Sequence, residues 1–400
     1  VAIQHNASLT IGDSGVECDV WDQYTLSLSM LRAGQPWTFS LWRSRDRRAA
    51  WDVLTRTVKL FDRVTVSIDG HPQLTGRIEL IERRASGHGE CVMILSGRDL
   101  AGPAQSWDAD PTVAIKDTPL EDALSAIFDP LGLTVRVTAA AAARSVQSAR
   151  APGARSPATA RRRNFVDRAH PRPGEKVWSL AESMVKRLGY MLWCAPRTDG
   201  TVGLVVDVPD YNQEPAYTLT RRLDALGMGS GNILDGTESL SVREVPTDVA
   251  VYTGTPRGAA TSARSRTQVV NAALFDDRVT RGFVSATTQA QPRHMRSERA
   301  RTIDAAQKEA ERAIAEGMQG FYRYTARVQG HGQQAGGAMR LYAVNTVARV
   351  HDDLFADAQG RPLDAALYVT DVEMTGSRAQ GQATTLTMVP LHSIRVTPET

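Results

Sequence analysis

Eight histidines and three cysteines are the side chains best able to bind a metal or attack a substrate, and their spacing favours neither role. No HExxH or comparable ligand pair occurs, which disfavours a metal hydrolase. His88 and His331 sit beside glycines, the usual setting of an exposed loop residue. Cys18, Cys91 and Cys194 are widely spaced, with no CxxC pair for a zinc ribbon or a thioredoxin-like site. Cys91 and Cys194 lie in apolar runs (91–95 and 191–194), so they are expected as structural thiols in a reducing cytoplasm.

Nucleophile and phosphate motifs fare no better. Gly12-Asp13-Ser14-Gly15 looks like the nucleophile stretch of trypsin-like proteases. Those enzymes need a histidine and an aspartate from an earlier barrel, which the short stretch before Ser14 does not supply. Val16 also stands where a second glycine is required, so the expected structure is a hairpin turn. There is no GxSxG elbow, Walker A loop or GxGxxG fingerprint. Gly227-Met228-Gly229-Ser230-Gly231 precedes neither a lysine nor a helix and reads as a flexible connection. Glu79 with Glu82, and Asp352 with Asp353, are expected as exposed strand and turn residues, not as a glycosidase pair. The run 352–360 lacks the alternating oxygen ligands of a calcium loop. These readings predict a chain that is not an enzyme and needs no cofactor.

Composition agrees with a binding or structural role. The chain is 42% hydrophobic and 23% charged with net charge +3, too balanced for nucleic-acid binding by the whole surface. At 400 residues it exceeds one ordinary core and predicts two to four domains. The start has no basic stretch leading into an apolar one, so no signal peptide is expected. Apolar runs fall short of the roughly 20 residues that span a bilayer, so no membrane partner is expected.

Three regions must position whatever does the binding. In residues 1–105, strict alternation at 24–30, 37–42, 64–68 and 74–81 predicts half-buried antiparallel strands, with a turn at Asp69-Gly70. In 106–210, Leu120, Ala123, Leu124, Ile127 and Phe128 predict a helix with Thr118 as N-cap and Pro119 in its first turn. A second helix is expected over 175–189, closed by Gly189, followed by a hairpin over 190–206. Between them, 139–173 is rich in Ser, Pro and Arg and poor in acids, which predicts an extended insertion. Its Arg161, Arg162 and Arg163 read either as a basic arm for an acidic neighbour or nucleic acid, or as a solvated loop. Residues 211–400 return to strands, with a helix at 297–317. No repeat is visible between the two β-rich regions. The expected fold class is α+β, mostly β, with two tube-like antiparallel barrel domains (1–105 and 211–400) flanking a small α/β middle domain (106–210).

The order of four stretches resembles the baseplate hub proteins of contractile phage tails, the Mu-like hub family and its relatives in phage-derived injection systems. The first is residues 21–28 with 35–41. The second is 62–70 with Leu74-Thr75-Gly76-Arg77-Ile78, leading to the family-like turn Ser96-Gly97-Arg98-Asp99-Leu100. The third is 174–178 with 188–192 and Asp199-Gly200, and the fourth is 341–352 with 367–372 and 384–390. The long Arg-rich insertion and Trp107-Asp108-Ala109-Asp110 depart from the family pattern.

The resemblance implies a homotrimer whose two tube-like domains per chain form a pseudo-sixfold ring. Such a ring joins a sixfold tail tube, or a tube-initiator protein, to a threefold central spike. Inner baseplate proteins are further partners, and genome DNA passes through the lumen without specific binding. The implied location is the virion baseplate, after assembly in the bacterial host cytoplasm. Gly97, Arg98 and Asp99, and the Arg161 to Arg163 cluster, are the candidate interaction residues. The other readings are a host-surface or carbohydrate-binding tail protein, marked by a row of exposed Trp or Tyr, and a cell-wall hydrolase.

Overall fold

Alternating apolar and polar residues fold most of this chain into strands, in a mostly β, α+β architecture. A computed structural model describes residues 5–12, 15–44, 48–86, 91–133, 135–137, 165–196, 202–223, 229–241, 243, 248–253, 261–266, 292–297, 307, 310, 313, 317, 320–335, 338–355 and 361–394. Two compact units result. The first is Val1–Val208 with Val328–Val344 and Asp371–Thr385; the second is Pro209–Arg327 with Asn345–Thr370 and Leu386–Thr400.

The first unit opens with β1 (Ala7–Ile11), β2 (Val16–Cys18), β3 (Gln23–Ser29), β4 (Pro36–Trp42), α1 (Arg48–Thr57), β5 (Arg63–Ile68), β6 (His71–Ala85) and β7 (Cys91–Asp99). The strands pair in the order β3–β4–β7–β6–β5–β1–β2. Period two sends Trp37, Phe39 and Leu41 of β4 inward, each almost wholly buried. Ile11 pairs with Val16, so β1 and β2 run antiparallel; Asp13 and Ser14, in the stretch expected as their turn, lie outside the described residues. Asp69 and Gly70 both hold positive φ (52° and 76°), as a two-residue hairpin turn between β5 and β6 requires.

Next come α2 (Gly102–Ser106), β8 (Ile115–Pro119), α3 (Leu120–Phe128), β9 (Val135–Val137), β10 (Phe165–Ala169), α4 (Val177–Arg187), β11 (Met191–Pro196) and β12 (Val202–Asp207). β11 and β12 form the expected hairpin, and β9 adds to β12 in parallel. The apolar faces of α3 and α4 share one core, including Leu124, Phe128, Trp178, Met184 and Leu204. Gly189 (φ 79°) closes α4 as expected, and the Tyr190 N–H returns to the Val185 carbonyl at 3.1 Å.

Two expectations change here. Thr118 does not cap α3: it lies in β8, pairs with Val166 of β10, and its hydroxyl donates to the Lys116 carbonyl. The helix starts after Pro119 with no side-chain cap, and Glu121 and Asp122 face its positive end instead. The insertion also ends earlier than its composition suggests. Phe165–Ala169 is a strand, with Val166 and Ala169 buried.

The second unit begins with β13 (Tyr217–Leu223), β14 (Gly229–Gly231), β15 (Ile233–Leu240), β16 (Asp248–Thr253), β17 (Thr261–Arg266) and β18 (Pro292–Ser297). The rest of the chain adds β19 (Tyr322–Gln329), β20 (Gly332–Ala335), β21 (Ala338–Leu341), β22 (Thr346–Asp352), β23 (Leu363–Ser377) and β24 (Gly381–Pro390). In the second unit β13 lies between β14 and β22, and β22 pairs with the first half of β23. β15 pairs with β19, and β19 with β24. The second half of β23 pairs with β3 in the first unit. Most of the helix expected at 297–317 lies outside the described residues. Of its positions Gln307, Ala310, Ala313 and Gly317 are helical, and Ala310 and Ala313 pack on Val249 and Val251.

Candidate functional site

The family-like turn is built into the first unit. Gly97 and Gly76 allow backbone to press on backbone: a Cβ on Gly97 would meet the Arg77 carbonyl oxygen at 1.9 Å, and one on Gly76 the Arg98 oxygen at 2.2 Å. The indole of Trp37 fills the space beside both. Arg98 makes a forked pair with Glu79 at 2.9 Å and also reaches Ser106 of α2. Asp99 is completely buried, and its carboxylate accepts the N–H groups of Ala101 and Gly102 at the start of α2. Burial pushes its pKa up to about 6, against the hydrogen bonds of the Cys194 thiol and nearby N–H groups. Gln35 ties the same region together, donating to the Ser29 and Cys194 carbonyls. Gly97, Arg98 and Asp99 thus anchor the β1 to β7 sheet to α2 and β11.

A second polar cluster corrects the exposure expected of His331, which lies in the connection between β19 and β20 but is fully buried in the first unit. Thr384 spends its proton on the Gly330 carbonyl (2.7 Å), so it accepts from His331 Nδ1–H at 3.0 Å. His331 Nε2 is then the acceptor for the Tyr24 hydroxyl at 2.6 Å. Tyr24 in turn accepts from the Gln382 amide at 2.8 Å. The donors run in one direction from Gln382 through Tyr24, His331 and Thr384 to Gly330. Gln382 also brackets His5, accepting its N–H and donating to its carbonyl. The His5 ring meets Asp69 at 2.6 Å and lies 5.3 Å from the His331 ring. Burial, then the nearby His5, lowers the His331 pKa to about 4, so the ring is neutral at pH 7. Burial alone would raise Asp69, but the Asn6 N–H and His5 hold it below the usual carboxylate range.

The second unit holds an ionic counterpart. Asp352 is completely buried, not an exposed turn residue as its sequence suggests. Arg221 clamps it with two bonds of 2.9 and 2.6 Å, and the Tyr324 hydroxyl donates to the same carboxylate. Phe355 stacks over the Arg221 guanidinium at 5.7 Å and meets Tyr324 edge-on. In both clusters most of the polar atoms are spent on one another, although His5 Nε2 is buried without a hydrogen-bond partner.

His88 and the Arg161, Arg162 and Arg163 cluster lie outside the described residues. Glu79 and Glu82 sit on β6 and pair with Arg98 and Arg84. Of the tryptophans, Trp21, Trp37, Trp51, Trp178 and Trp193 are buried, while Trp42 and Trp107 are exposed. Among the described residues, no group of three or more His, Cys, Asp or Glu converges as metal ligands, and no helix is long and apolar enough to cross a membrane.

No protein-family model matches the chain, and no curated protein matches it at a significant level. Solved structures do. A tail protein from Neisseria meningitidis superposes with a TM-score of 0.71 at 20% identity, covering 98% of each chain. The 43 kDa tail protein of prophage MuSo2 from Shewanella oneidensis gives 0.70 at 14% identity, over 96% of this chain and 98% of that one. An Escherichia coli component of the type VI secretion system, described as similar to the T4 tail proteins gp27 and gp5, gives 0.50 at 8% identity, over 98% of this chain and 79% of that one. The chain therefore shares its fold, nearly end to end, with tail proteins of about its own length.

Proposed function

We propose that this chain is a structural protein of a phage-type contractile tail, and within it the baseplate hub. The observation that carries this reading is the fold match over 98% of both chains to a tail protein, with no large segment left over on either side. Three copies form a pseudo-sixfold ring in which residues 1–105 and 211–400 act as the two tube-like domains around 106–210. One face of the ring meets the sixfold tail tube or its initiator, and the other meets the threefold spike. Inner baseplate proteins dock outside it, and genome passes through without base-specific contacts. The chain is a virion component with no catalytic duty, and Arg161, Arg162 and Arg163 act as an outward basic arm.

Physical economy supports a ring, because strand-rich modules expose edges that closed symmetric assembly covers. The test is direct. The purified chain should run as a trimer at micromolar concentration, and with tube and spike proteins it should appear by electron microscopy as a ring capping the tube. A chain that stays monomeric and forms no ring with those partners would sink the reading.

A further inference from the structure

Arginine stands opposite arginine in the first unit. On the antiparallel strands β5 and β6 Arg63 faces Arg77, and across β6 and β7 Arg77 faces Arg98. Directly opposed residues point to the same side of a sheet, with Cα atoms about 5 Å apart, so the three side chains leave one face in a single row. Like charges placed in this way destabilise a sheet. Arg98 is relieved by its fork to Glu79. Arg77 donates to the Phe61 carbonyl at 3.3 Å, and Arg63 is exposed. Among the described residues, neither Arg63 nor Arg77 forms an ion pair.

The turn leading into β5 carries a second feature that the fold does not require. Leu60 and Phe61 are 54% and 66% exposed. Phe61 also holds φ at 68°, a left-handed conformation that costs energy for a bulky residue. Its N–H donates to the Ile78 carbonyl at 2.8 Å, which fixes the turn beside Arg77. Lys59 adds a further exposed base. At this row and turn the described bases are Lys59, Arg63, Arg77 and Arg98, and the described acids are Asp62 and Glu79. Both acids are engaged, Asp62 by the Lys59 N–H at 2.8 Å and Glu79 by Arg98. Two locally unfavourable features thus meet at one exposed place, where binding a partner would offset both.

We propose that Arg63 and Arg77 bind a carboxylate of an acidic segment in another protein, with Leu60 and Phe61 covering an apolar residue beside it. Charge selects the partner. An anion held between the two guanidinium groups replaces a repulsion with charge-assisted bonds, and the planar fork of arginine matches a carboxylate. The apolar pair separates a protein segment from nucleic acid. Phe61 can stack on a base, but Leu60 has no such use, and its burial calls for another protein's apolar side chain. The turn is already fixed by its hydrogen bonds, so association has little of it left to order. The site stands apart from the hub reading, since it needs neither a trimer nor a ring.

The probe is a short synthetic peptide of glutamates around a central pair of leucines, titrated into the full chain by calorimetry. The wild type should bind it saturably, and less tightly as salt is raised. Arg63→Gln changes an exposed side chain and should weaken binding by about tenfold or more. Without peptide the same variant should melt slightly higher than the wild type, because a like-charge pair is gone. Leu60→Ser should weaken binding while keeping its melting temperature. A peptide with glutamine in place of glutamate should not bind. No binding by the wild type, or equal affinity in Arg63→Gln, overturns the site. A DNA oligomer of equal charge that binds more tightly than the peptide, and is lost in Arg63→Gln, overturns the assignment to a protein. A change in the oligomeric state of Arg63→Gln would place a second copy on the row and overturn the assignment to another protein.

Discussion

Each unit buries a polar cluster where apolar packing would be simpler, and the two clusters are built on opposite principles. In the first unit, Gln382, Tyr24, His331 and Thr384 form a neutral relay in which every proton has an assigned place. In the second, Arg221, Asp352 and Tyr324 bury two full charges against each other. The neutral relay tolerates burial cheaply but fails when a proton is added, because Nε2 of His331 would become a donor facing Tyr24. The ion pair cannot lose a member, because the survivor would be a charge without compensation. One cluster is therefore sensitive to pH and the other to substitution.

Removing Asp352 gives the largest expected effect. Asp352→Ala leaves the Arg221 guanidinium buried and strips Tyr324 of its acceptor, at a cost of about 3–5 kcal/mol. Urea unfolding and amide exchange should show the loss concentrated in β13, β19 and β22. A cost under about 1 kcal/mol would mean water reaches Arg221 and the contrast between the clusters is false.

Acid is the next lever. The His331 pKa falls from 6.5 to about 4 on folding, so the unfolded chain takes up the proton first. Stability from this group is complete above pH 6.5 and is lost as pH falls towards 4, by about 3 kcal/mol. Asp99 works the other way. Its folded pKa of about 6 exceeds the ordinary 3.8, so the folded state gains stability as pH falls through that window. The two effects largely cancel in the wild type. Comparing Asp99→Asn with His331→Gln by thermal melts from pH 7 to 4 should separate them, the first variant becoming more acid-sensitive and the second less. Parallel melting curves for all three proteins would remove His331 as the acid-sensitive group.

Single hydroxyls should matter less and unequally. Tyr324→Phe removes one donor to a carboxylate that Arg221 still clamps, and should cost about 1–2 kcal/mol. Tyr24→Phe strands His331 Nε2 and one Gln382 N–H together, so it should cost more than Tyr324→Phe by chemical denaturation. The reverse order would show that the ionic cluster, not the relay, depends on its tyrosine.

Much of the scaffold was legible from the chain, for reasons local to each element. Strict alternation at 37–42 and 64–68 gave β4 and β5 because one face of each meets a core. Asp69-Gly70 gave its turn because Gly and Asp accept the positive φ that the hairpin needs. The clusters were hidden because their members lie far apart in sequence and meet only through strand pairing. His331 and Tyr24 are separated by 307 positions, and Arg221 and Asp352 by 131. Glycine neighbours made the loop residue His331 look exposed, and a double aspartate made Asp352 look like an exposed turn, whereas burial in each case comes from strands contributed by other parts of the chain. Thr118 was misplaced because a good N-cap residue says nothing about a strand partner 48 positions away at Val166.

The smallest expected effect tests what sets the size of the largest. Arg349 and Asp364 face each other on β22 and β23 at 2.6 Å, the same separation as the closest Arg221 and Asp352 atoms. Their side chains are 51% and 46% exposed, against 11% and 0% for the buried pair. Water screens the outer pair and solvates either member left alone, so Asp364→Ala should cost no more than about 1 kcal/mol, and less in high salt. The inner pair has no such recourse. Measured by urea unfolding beside Asp352→Ala, the two variants share residue type, arginine partner and closest distance, and differ in burial and in the further bonds that Asp352 accepts from Tyr324 and the Leu354 N–H. A loss at Asp364 as large as that at Asp352 would mean that separation alone governs these pairs, and the contrast drawn between the ionic cluster and the surface would have no physical basis.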